Sequence, residues 1–155
     1  MYDYENLILI GEDQGMSTEE LELIGDCGYY CDGTAFISSN SINTVKYGVL
    51  AEEIGHHETS FGIIINNSLI SLKQERIARA RGYSYTASPD KIVKALLNYC
   101  ATSQELAEYL GVPDEYLHSA IEYYKQKYGA FYKCKDYILY FEPLSVCGSD
   151  KGGSF

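Results

Sequence analysis

The stretch KYGVLAEEIGHHETS, residues 46–60, sets apolar Val49, Leu50 and Ile54 beside a run of ionisable groups at Glu52, Glu53, His56, His57 and Glu58. Wound as a helix, positions four apart are neighbours on one face, so Glu52 stands beside His56. Glu53 points away from that pair by roughly 60–100°, close enough for all three side chains to look into one cleft. Such a cleft is where helix side chains hold a divalent cation while a further carboxylate acts as base on water.

The metalloprotease form of this pattern is H-E-x-x-H, two imidazoles one turn apart with Glu as general base. Here it reads Glu52-Glu53-Ile54-Gly55-His56, with Glu52 in the first ligand position. Carboxylate oxygen is itself an ordinary zinc ligand, so the exchange weakens the pattern without abolishing it. A second register, Glu53 with His57, has the same spacing, and periodicity does not choose between the two. Taken alone, acidic residues on a helix are more often a solvated face than a ligand set.

Upstream of this stretch, Tyr29-Tyr30-Cys31 and residues 34–38 are β-prone runs separated by Asp32-Gly33, the signal of a two-residue hairpin. Asn40 or Ser41 can cap the motif helix, expected over residues 42–57 with Val45, Val49, Leu50 and Ile54 as its buried stripe. Residues 63–65 read as a short buried segment, followed by a turn at Asn66-Asn67. A second helix opens at Ser68 or Ser71 and carries Leu69, Leu72, Glu75, Ile77 and Ala78; small Ala78, Ala80 and Gly82 allow it to approach the first closely.

On either side the expectations are looser. Residues 7–10, LILI, fit a short strand or a helix end, and Ser17-Thr18-Glu19-Glu20 reads as a capping box opening a helix that Gly25 closes. Ser88-Pro89-Asp90 opens a helix to about residue 99. Residues 103–129, SQELAEYLGVPDEYLHSAIEYYKQKYG, form a helix-turn-helix pattern after a capping box at residues 102–105. Its second helix offers Glu115, His118 and Glu122 where a base reader needs Arg, Lys, Asn or Gln, which favours a structural or protein-contacting role. Residues 131–134 and 137–141 predict a hairpin around Lys135-Asp136, and beyond Pro143 a disordered tail is expected.

LAEEIGHHETSFG (residues 50–62) followed by KQERIARARGY (residues 73–83) resembles the ImmA/IrrE family of metallopeptidases, in particular its short prophage and mobile-element branch. The likeness spans roughly residues 29–128 and is specific around the two motifs. In that family a second helix bears E-x-x-A, whose Glu is the third metal ligand, and Glu75-Arg76-Ile77-Ala78 fits it. The resemblance therefore implies one Zn²⁺ held by Glu52, His56 and Glu75 with Glu53 as catalytic base, and it selects this register because Gly55 precedes His56. His57 and His118 are left as non-ligands, with His118 a spare imidazole for an oxyanion if the fold brings it near. The fold implied is α+β and mainly helical, a small antiparallel sheet packed on a zincin-like helix, with helix-turn-helix-like helices after it. The function implied is endopeptidase action on a specific protein, a phage or mobile-element repressor. The alternative is a catalytically inactive regulatory protein-binding module of the same fold.

Composition bounds these readings. The chain has 155 residues, 46% of them hydrophobic and 22% charged, enough for one core. Its organisation is expected as a metallopeptidase-like core at residues 1–100, a helical segment at 101–128 and a terminal hairpin with tail at 129–155. A formal charge of −10 opposes nucleic-acid binding through phosphates, and no apolar run reaches the length of a membrane span. Five Cys, no C-x-x-C pair and no leader pattern predict reduced thiols in the cytoplasm. Sixteen Tyr and no Trp place amphipathic rings at core edges and along a cleft or partner-facing surface.

Overall fold

A computed structural model describes residues 3–59 and 68–149; the segment and turn expected at 63–67, like the last six residues, lie outside the described residues. The chain is α+β and mainly helical, with two three-stranded sheets.

The N-terminal LILI run lies inside α1 (Tyr4–Asp13), which buries Tyr4, Leu7 and Gly11. Residues 17–21, expected to open a helix, instead form strand β1 (Ser17–Leu21). It lies parallel to β3 (Thr34–Ser38), from Ser17 opposite Thr34 to Leu21 opposite Ser38. A helix this short cannot offset its own nucleation, whereas β3 offers a ready ladder of backbone hydrogen bonds. β2 (Gly28–Cys31) pairs antiparallel with β3 through the expected hairpin. Asp32 (φ 52°) and Gly33 (φ 82°) supply the left-handed conformations that such a turn requires. The sheet, in the order β1-β3-β2, is therefore mixed and not purely antiparallel as expected.

Helix α2 (Asn43–Thr59) lies on β2 and β3. Its buried residues are Tyr47, Gly48, Leu50, Ala51, Glu53, Ile54 and Gly55; Val45 and Val49, expected in the stripe, are half-buried. The stripe is wider than its aliphatic residues because a second helix, α3 (Ser68–Thr86), covers the small ones. The two run antiparallel, Gly55 against Ala78 and Gly82 against Ala51.

The C-terminal half is closest to its sequence. Ser88 caps α4 (Pro89–Leu97), accepting from the Lys91 N–H, and the helix ends two residues short of expectation, before Tyr99 at φ 64°. Thr102 and Glu105 form the capping box of α5 (Ser103–Leu110), Gly111 turns left-handed at φ 77°, and α6 (Asp114–Tyr128) follows. Strands β4 (Phe131–Cys134) and β5 (Tyr137–Phe141) make the second hairpin. Where a disordered tail was expected, β6 (Leu144–Gly148) pairs with β5 and lays Leu144 and Val146 against the core. One apolar cluster runs from Tyr4 and Leu7 through Leu50, Ile92 and Leu117 to Leu139 and Phe141. Among the described residues no helix is long and apolar enough to cross a membrane.

Candidate metal centre

The cleft is made by the closeness of α2 and α3. At Gly55 a Cβ would stand 2.1 Å from the Ala78 carbonyl oxygen, so backbone meets backbone there. Helices this close bring short ligand arms together: His56 Nε2 lies 3.5 Å from Glu75 Oε2 and 4.0 Å from Glu52 Oε1. One donor atom from each of Glu52, His56 and Glu75 lies within 4.8 Å of the other two. Donors at about 2.1 Å around a tetrahedral zinc stand roughly 3.4 Å apart. The His56 and Glu75 pair already has that spacing, and Glu52 stands within 4.8 Å of both, so side-chain adjustment alone would let the three donors hold a divalent ion. All three side chains are partly solvent-accessible, His56 the least.

Glu53 is placed differently. It is buried, only 6% exposed. Burial above all, then the neighbouring carboxylates Glu52 and Glu75, pushes its pKa up to about 8. A cation between those two carboxylates would cancel the repulsion and favour the ionised, basic form. The four residues singled out by sequence are thus gathered at one place, three as possible ligands and one buried beside them.

His57, the other spacing-allowed ligand, is committed elsewhere. Its Nε2 lies 2.9 Å from the Gln14 carbonyl oxygen, which can only accept, so Nε2 carries the proton and Nδ1 accepts from the Tyr30 hydroxyl at 2.8 Å. The ring ties α2 to β2 and to the end of α1. Next to it, Glu58 receives hydrogen bonds from Gln14, Tyr85 and Arg81, joining α1, α2 and α3. Burial alone would raise the Glu58 pKa, but these three donors and the Arg81 charge hold it below its ordinary 4.5. Glu58→Gln is expected to lower stability at neutral pH by about 1–2 kcal/mol. A carboxyl with a depressed folded pKa stabilises above its unfolded value and loses that contribution as pH falls through the folded one. In urea unfolding, the gap between wild type and variant should therefore close at acidic pH.

His118 is not brought to the cleft. It pairs with Asp114 at 3.6 Å and approaches Ser103 at 3.4 Å, on the wall of a separate cavity of about 330 Å³ between α4, α5, α6 and the β5–β6 turn. Glu115, His118 and Glu122 are exposed on α6, as the helix-turn-helix pattern implied. The sequence marks the basic run from Lys73 to Arg81 as a solvated face or as local neutralisation of the acidic site without singling out Arg79, whose Nε stands 3.4 Å from Glu52 Oε1. The only signal particular to Arg79 is the four-residue step from Glu75, which puts both on one face of α3. No family model, curated protein or solved structure matches the chain.

Proposed function

We propose that the chain is a zinc-dependent endopeptidase that cleaves one specific protein, a phage or mobile-element repressor. The observation that carries this reading is the convergence of Glu52, His56 and Glu75 from two helices, with Glu53 buried alongside. The motif likeness to the ImmA/IrrE family supplies the zincin-like helix arrangement and the class of substrate. A bound divalent cation supplies Lewis-acid polarisation of a carbonyl and makes nearby water more acidic. The chain's own contribution is Glu53, which takes a proton from water as its oxygen attacks the scissile carbonyl carbon, then gives it to the departing amine nitrogen as the C–N bond breaks. Strand β2 is an edge of the sheet and lies on α2, so an extended substrate segment can add to it by backbone pairing next to the cleft.

Two carboxylate ligands offset the charge of a divalent ion and acidify water less than imidazoles do, which fits slow turnover on a restricted substrate. The Arg79 and Glu52 ion pair favours a second reading, a regulatory binding module in which Glu52 is satisfied without metal. Profiling of new protein N-termini in a host lysate separates them. Zinc-loaded chain should generate one dominant new terminus, absent after chelation and restored by zinc; identical profiles in all three conditions would remove the peptidase reading.

A further inference from the structure

Two rungs join α2 to α3 at the cleft: His56 with Glu75 and, one turn away on both helices, Glu52 with Arg79. Arg79 Nε and His56 Nε2 approach the same atom, Glu52 Oε1, at 3.4 and 4.0 Å. A positive charge belonging to the chain thus already stands at an oxygen that a cation between Glu52, His56 and Glu75 can draw on. The Arg79 side chain is 56% exposed, so it can swing into water without stranding a buried charge. At 3.4 Å the contact is longer than the roughly 2.7–2.9 Å of a firm charge-assisted hydrogen bond, so it orients Glu52 weakly and acts chiefly through charge.

We infer that Arg79 is a built-in counter-cation of the site, pairing with Glu52 in the metal-free protein and lowering the site's affinity for divalent ions. The inference rests on Glu52, His56 and Glu75 being metal ligands. If an incoming ion takes Oε1, Arg79 must give up its partner; if the ion takes the other carboxylate oxygen, Arg79 remains a few ångströms away as a like charge. Either route opposes binding, and because Arg79 is exposed the effect is screened by salt.

Zinc titration of the full chain by calorimetry, with a competing chelator, tests this in wild type, Arg79→Gln, Arg79→Lys and Arg76→Gln. Arg79→Gln should bind zinc about tenfold more tightly at low salt, with most of that gain gone near 1 M salt. Arg79→Lys should stay near wild type, as should Arg76→Gln, which alters an exposed charge on the same helix. Unchanged affinity in Arg79→Gln overturns the inference, weaker binding replaces it with an orienting role, and an equal gain in Arg76→Gln reduces it to general charge. If neither wild type nor any variant takes up zinc while circular dichroism shows all of them folded, the ligand set itself falls and the counter-cation with it. That outcome is distinct from an affinity that Arg79 does not alter.

Discussion

Glu53→Gln protein should fold, keep its zinc and lose cleavage by about 10²–10⁴-fold, the usual loss when a positioned base is removed. Gln has nearly the shape of Glu, and the site is 6% exposed and flanked by the carboxylates of Glu52 and Glu75. A neutral side chain is therefore no burden there, and unfolding should show equal or greater stability. What Gln lacks is an oxygen able to take a proton from water and return it to the amine. The readout is the rate of appearance of the new substrate N-terminus, alongside zinc content and a melting curve. Cleavage at the wild-type rate would take Glu53 out of its assigned role.

Gly55→Ala is the substitution with the largest expected effect on folding. In an ordinary helix interior, Ala in place of Gly stabilises by about 1 kcal/mol. Here the added Cβ would lie 2.1 Å from the Ala78 carbonyl oxygen and 2.8 Å from its carbon, and a backbone in a packed helix has no rotamer to yield. The helices must part, so the net change should be a loss of about 2–4 kcal/mol, a large share of the 5–15 kcal/mol typical of a domain. Because parting carries Glu75 away from His56, zinc affinity should fall as well. Gly82→Ala provides a scale: its Cβ would meet the Ala51 and Glu52 backbone at 3.1 Å, a milder conflict with a smaller cost. Stabilisation by Gly55→Ala in urea unfolding would mean that the close approach of α2 and α3 is not required.

Local chemistry was readable wherever it is self-contained. Asp32-Gly33, Ser88-Pro89, the Thr102 and Glu105 box and Gly111 each carry their conformation in two to four residues, and each turn or cap forms where expected. Ser17-Thr18-Glu19-Glu20 carries an equally plausible cap, but its backbone is claimed by β3, each residue pairing with one seventeen further along the chain (Ser17 with Thr34), so β1 is invisible to local patterning. β6 was missed for a related reason: Leu144 and Val146 alternate correctly, but the run is short and follows a proline. At the cleft, the spacing of Glu52 and His56 was legible, and so was the small face of α3. Periodicity could not separate His56 from His57. That choice depends on the Gln14 carbonyl and the Tyr30 hydroxyl, which reach His57 only through tertiary packing. The basic run from Lys73 to Arg81 suits a solvated face or neutralisation of the acidic site equally well in sequence, and only the antiparallel crossing sets Arg79 in particular against Glu52.

The proposed chemistry depends on Glu52, His56 and Glu75 holding one metal ion. Elemental analysis of protein purified without chelator and reconstituted with zinc, wild type beside His56→Ala, Glu75→Ala and His57→Ala, tests it most directly. About one zinc per chain is expected in wild type and in His57→Ala, and almost none in the other two. A folded wild type without zinc, or zinc retained by His56→Ala and Glu75→Ala, would contradict the site and leave the same fold as a binding module.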